Sequence, residues 1–255
     1  MEERFVPIAQ AEGRPIETGD HRQAEPAESR RPIDDPRALQ ILSTDHWSLL
    51  TARSLVYNEA FARAGMFLAF LSATLLVLGL ISNATGFTDG FLIVAASVLA
   101  LDLFVGLATL GRIIGASSED LRYLQGMSRL RHAYFEIVPG LEPYFITNGY
   151  DDFDSVARFY GPRQGEVGAV GEIAHGLTTA PGMISVICSA VAAGLVATLA
   201  LLLTHDAILA VLAGLAGFVV CFLALGVFGY RSATSLGASM PAMFPRPKDT
   251  AKPRD

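Results

Sequence analysis

Four stretches of roughly 20 residues exclude charge almost completely, and this limits the fold more than any other property of the chain. They are 64–82, 91–110, 183–203 and 207–228, and Asp102 is the one charged residue inside them. A helix rises about 1.5 Å per residue, so each stretch can cross a hydrocarbon layer about 30 Å thick. Backbone amides find no water there and must be satisfied within a helix or a closed barrel. Core helices of water-soluble proteins seldom stay apolar on all faces for so long. The expectation is an all-α integral membrane protein with four transmembrane helices in contact with the lipid bilayer.

Proline placement groups these spans. No proline occurs within 37–138 or 182–240, so both regions are free to form long helices. The turn-forming residues 83–90 join the first two spans, and Thr204, His205 and Asp206 join the last two. Two helical hairpins follow, over 37–138 and 182–229, separated by a loop over 139–181. The segment 1–36 contains Pro7, Pro15, Pro26, Pro32 and Pro36 with little to bury, and is expected to be a disordered tail. The same expectation holds for 230–255, where four prolines follow Met240.

Basic residues orient the spans, because Lys and Arg next to a span favour the cytoplasmic side. All 19 fall in the two terminal segments or the central one, and neither short connector carries any. Both termini and the central segment are therefore expected in the cytoplasm. Residues 1–60 lack a basic start followed by an apolar core, so the first span is expected to act as its own insertion signal. Arginine outnumbers lysine 17 to 2 beside abundant alanine and glycine, which points to a bacterial inner (plasma) membrane protein. A formal net charge of -6 without a basic cluster argues against nucleic acid as a partner.

Helical pattern extends past the first hairpin into the cytoplasm. Ser43 or Thr44 is positioned to cap a helix from Asp45 that continues through Trp47, Leu50, Tyr57 and Phe61 into the first span. Tyr123, Met127, Leu130, Tyr134 and Ile137 recur at steps of four and three, the spacing of one helix face. Centring the hairpin near Phe87 places Arg53 opposite Asp120, Glu59 near Arg112 and Asp45 near Arg129. Three opposite-sign matches suggest a two-helix cytoplasmic stalk. Exposed pairs contribute only about 0–1 kcal/mol each, so their role is to select register.

Asp102 is the main intramembrane candidate. A carboxylate at mid-span costs about 2.5–3.5 kcal/mol, while the Leu, Ile, Val and Phe residues of that window offset it by roughly 4–7 kcal/mol. The same register brings Ser72 level with Asp102, where a neutral acid hydrogen-bonded to Ser72 or to a partner subunit is expected. A proton or cation site is the functional alternative. Small residues Gly65, Ala69, Ser72 and Ala73 in the first span, and Ala210, Ala213, Gly214 and Gly217 in the fourth, favour close helix packing within or between subunits.

No other motif carries chemistry. Cys188 and Cys221 both sit in apolar windows, and the five histidines lack metal-ligand spacing. Asp151, Asp152 and Asp154 suit helix capping and a solvated loop better than magnesium binding, with Asp152 or Asp154 starting a short helix. No nucleophile elbow, phosphate loop or dinucleotide fingerprint occurs. The expectation is a non-enzymatic multi-pass protein without cofactor or metal, acting as a membrane anchor whose stalk binds an unidentified cytoplasmic protein or mediates homo-oligomerisation. The alternative is a small ion channel, transporter or membrane-permeabilising effector that uses Asp102.

Overall fold

The computed structural model describes residues 31–160 and 168–247, which form helices and no strand. Six α-helices occur: α1 (Ala38–Thr85), α2 (Asp89–Ile137), α3 (Phe153–Ala157), α4 (Ala169–Thr178), α5 (Ala180–Thr204) and α6 (Ala207–Ser239). Of these, α1, α2, α5 and α6 are long and apolar enough to cross a membrane. At 48 and 49 residues, α1 and α2 are each about 70 Å long, more than twice a hydrocarbon core.

Local chemistry sets the helix ends. Gly86, at φ 68°, closes α1, and Thr88 caps α2 by accepting a hydrogen bond from the Phe91 amide at 3.4 Å. Thr179 caps α5, with a proline in its first turn, and the Asp206 carboxylate caps α6 by accepting from Ile208 at 2.8 Å and Leu209 at 3.2 Å. The start of α1 lies seven residues before the one expected at Asp45. Asp35 accepts from the Arg37 amide at 2.8 Å and Pro36 follows it, which supplies a start signal upstream of Ser43. The Ser43 and Thr44 hydroxyls instead donate back to the Gln40 carbonyl.

The long helices pack in sequence, α1 on α2, α2 on α5 and α5 on α6. Their shared core contains Phe67 of α1, Leu110 and Ile113 of α2, and Ile184, Cys188 and Val191 of α5. Outside this core the apolar windows expose leucine, valine and phenylalanine freely, including Leu76, Phe104, Leu203, Leu215 and Val220. A water-facing surface of this composition would be an extended apolar patch. The small residues of α6 are used inside the chain: Gly214 meets the Ala193 carbonyl and Ala197 of α5, and Gly217 meets Val196.

Two tail boundaries differ from expectation. Helix α6 continues to Ser239, and residues 240–247 fold back along α2, so the tail expected over 230–255 is structured as far as 247. It is held largely through its own backbone groups, which leave no side-chain pattern in sequence. Pro32–Asp34 form a 3-10 turn and Arg31 lies 3.9 Å from Glu136. The rest of the N-terminal tail, 1–30, and residues 248–255 lie outside the described residues. The 139–181 segment also holds more helix than a loop, since α4 includes His175.

Gly106 tests the three-helix core. A Cβ there would approach Cys188 Sγ and Phe67 Cζ to 2.8 Å. Gly106→Ala should therefore lower stability by about 1–3 kcal/mol despite the better helix propensity of alanine. Gly79→Ala, where a Cβ meets nothing within 4 Å, should be neutral or slightly stabilising. Thermal unfolding of both variants in detergent checks the contrast.

Candidate functional site

Beyond their apolar windows, α1 and α2 stay in contact through charged residues, and the pairs run in opposite order along the two helices. The Arg53 guanidinium donates to both carboxylate oxygens of Asp120, one at 3.1 Å, and Tyr57 donates to Asp120 at 3.2 Å. The Asp120 side chain is fully buried. One turn pair nearer the apolar windows, Arg112 bridges Glu59 at 2.9 Å and Glu119 at 2.9 Å, while Arg63 also reaches Glu59. The Arg112 hydrogen bond holds the Glu59 carboxyl below the usual carboxylate range, and the two glutamates raise the guanidinium.

Asp45 and Arg129 do not meet. Arg129 turns away from α1 and binds Asp151 at 2.7 Å, where it also donates to the Pro241 carbonyl at 3.0 Å. Asp151 is a buried acceptor rather than a residue of a solvated loop. Its oxygens accept from the backbone amides of Met243 at 2.9 Å and Phe244 at 2.7 Å. Gln125 bridges the Asp151 and Pro241 carbonyls, and His132 stacks on Phe244 with ring centroids 3.8 Å apart. Next door, Asp152 caps α3 through Ser155 and accepts the Arg246 amide at 3.0 Å. Together these groups clamp residues 240–247 to α2. Burial pushes the Asp151 carboxyl upward, but the Met243 amide, Arg129 and the Phe244 amide outweigh it and leave the group below its ordinary range.

Asp102 lies in the apolar section of α2 and is fully buried. Its partner is Thr74, at 3.4 Å, and not Ser72. Ser72 is exposed on α1 and donates to the Leu68 carbonyl at 2.7 Å. Two residues of helix turn the side chain through about 200°, so Ser72 shares the level of Asp102 but faces away. The second carboxyl oxygen of Asp102 has no hydrogen-bond partner among the described residues. Cys188 and Ser189 are also fully buried, and Ser189 donates to the Ser185 carbonyl of its own helix.

One further feature escaped sequence reading. A cleft of about 690 Å³ opens between α2, the start of α5 and the end of α6, walled by Ile114, Leu121, Pro181, Phe222, Leu225 and Leu236. No charged side chain lines it, so an apolar group is what it can accept. Its signal is distributed over three separated segments, which no linear motif reveals. Among the described residues no cluster of three or more His, Cys, Asp or Glu is arranged to hold a metal ion.

No family model, curated protein or solved structure matches the chain.

The Asp151 clamp makes a signed prediction. Asn at 151 would replace one acceptor with a donor facing backbone amides and remove the charge opposite Arg129. Asp151→Asn should cost about 3 kcal/mol of docking and speed exchange of the Met243 and Phe244 amides on the order of 100-fold. Because the docked carboxyl titrates below its ordinary 3.8, docking is fully present above that pH and is lost as pH falls through the docked value. Hydrogen exchange at pH 6 and in acid measures both effects.

Proposed function

We propose that the chain is a non-enzymatic four-span membrane protein that self-associates through α1, with the charged ends of α1 and α2 forming a stalk in the cytoplasm. Four apolar helices with outward-facing leucine and valine suit contact with lipid. Confinement of basic residues to the segments outside the two short connectors supports two hairpins with both termini inside.

The observation that carries self-association is the free face of α1. At about 100° per residue, Trp47, Leu55, Gly65, Ala69, Ser72 and Ala73 fall on one side of the helix, opposite Ala60, Phe67, Leu71 and Thr74, which are buried. All six are exposed, and Trp47 is 70% exposed in the section beyond the apolar window. Gly65, Ala69 and Ala73 recur every four residues, the spacing that lets two helices approach closely in lipid. Copies inserted in one orientation would present this face to one another in parallel, a self-complementary twofold contact. The aromatic and aliphatic residues of the stalk would extend the same seam into water, where their burial is favourable.

A channel or transporter reading draws on a different observation, the unpartnered oxygen of buried Asp102. Substituting Asp102→Asn in reconstituted vesicles separates the two. Unchanged proton or cation flux discards the conducting role, whereas loss of flux would favour it.

Self-association is tested by cysteine scanning in a Cys188→Ala, Cys221→Ser background. Mild oxidation should link Ala69→Cys copies efficiently and Leu75→Cys copies poorly, because Leu75 is exposed on another side of α1. Ala69→Leu should reduce the dimerisation constant about tenfold, the equivalent of roughly 1.4 kcal/mol. Equal yields at both positions would remove the proposed seam. Reporters fused to the two ends should register the same compartment, and opposite compartments would remove the two-hairpin topology.

A further inference from the structure

Among the described residues, Arg131 is the one buried cation in the charged section of α2 that has no anion. It is 8% exposed, and its Nη1 has no hydrogen-bond partner among the described residues. By contrast, Arg53, Arg112 and Arg129 each hold a carboxylate. The Arg131 guanidinium instead lies 5.7 Å from the centre of the Phe159 ring. Burial pulls its pKa down, and so does the positive charge of Arg53. Within its electrostatic reach is His46, whose Nδ1 is likewise buried and without a hydrogen-bond partner among the described residues. Burial and Arg131 lower the His46 pKa, which Asp45 only partly opposes. Asp45 itself makes no ion pair with Arg131 among the described residues.

An arginine cannot shed its proton to escape this setting, as a buried lysine can. Burying a cation without a counter-charge is strongly unfavourable, so such groups are paired or bind an ion. The charge that acts on Arg131 is that of a second arginine, Arg53, which lowers its pKa rather than compensating the buried cation. With the Phe159 ring 5.7 Å from the guanidinium carbon, the unsatisfied Nη1 donor is the group an anion oxygen would accept from, and a guanidinium can bind carboxylate or phosphate oxygens through neighbouring donors. Arg131 is 8% exposed and Phe159 next to it 43% exposed.

We propose that Arg131, with His46 within its electrostatic reach and Phe159 against its face, binds a small oxyanion, a phosphate or a carboxylate. The site needs only the contact between α1, α2 and the 158–160 turn, so it stands whether or not the chain self-associates.

Thermal unfolding of the full chain in detergent tests this, in a bis-Tris chloride buffer at constant ionic strength. Inorganic phosphate and succinate are titrated separately. One of them should raise the Tm saturably, and the active one identifies the oxyanion class. Arg131→Gln should abolish that rise, and in the absence of added anion it should unfold at or above the wild-type temperature, because an unpaired buried charge has gone. His46→Ala should weaken the response while retaining it. A flat wild-type titration with both anions would overturn the proposal whatever the stability of Arg131→Gln. An equal rise in wild type and Arg131→Gln would overturn it as well, by placing the anion elsewhere.

Discussion

The seam between α1 and α2 changes its chemistry halfway along, and the rest of the molecule depends on that change. In its apolar half the contact is Phe67, Leu71 and Thr74 against Leu99, Asp102 and Gly106, where close approach and dispersion hold the helices. In its charged half the contact is Arg53 on Asp120 and Arg112 on Glu59, with Tyr57 donating to the same aspartate. Neither half suffices alone. Apolar packing lets two helices slide or rotate at modest cost, whereas a buried carboxylate between a guanidinium and a phenol accepts only one register. A charge pair without the packed half would be solvated, and would contribute little.

Everything placed on the charged half then inherits that register. Arg129 is freed from α1 and aims at Asp151, so the 141–160 segment is anchored to α2 rather than hanging from it. Asp151 in turn satisfies two backbone amides that the irregular 240–247 segment could not pair within itself. The segment after α6 is thereby tied to the C-terminal third of α2, far from the contact between α5 and α6. A mobile C-terminal segment would leave Asp151 buried beside Arg129 with vacant acceptor capacity, which a low-dielectric setting penalises.

The parts legible in sequence are those in which the relevant signal is a run or a period. Charge exclusion is a run, and the four long helices contain the four windows. The antiparallel register is arithmetic on residue number, which is why it speaks to Arg53, Asp120, Glu59 and Arg112. It fixes level but not rotation, so it could not separate Ser72 from Thr74, two residues and about 200° apart. It also treats each residue as having one neighbour, and thus assigned Arg129 to Asp45 when a third segment offered Asp151. The docking of 240–247 was illegible for a simpler reason. Backbone amides are the donors there, and every residue except proline has one.

Two buried polar groups on α2 lack full partners, and their chemistry distinguishes them. Asp102 and Arg131 are opposite in formal sign, yet 29 residues of helix hold them roughly 43 Å apart, too far to neutralise each other. Each must be resolved where it stands. A carboxyl group has a route that needs no ligand, since taking up a proton turns it into a neutral hydrogen-bond donor, and Thr74 is within reach. A guanidinium has no such route, because it stays charged under any condition in which the fold survives. A half-satisfied acid in the apolar half is therefore compatible with a purely structural helix contact, whereas a buried arginine in the charged half calls for an anion that the described residues do not supply.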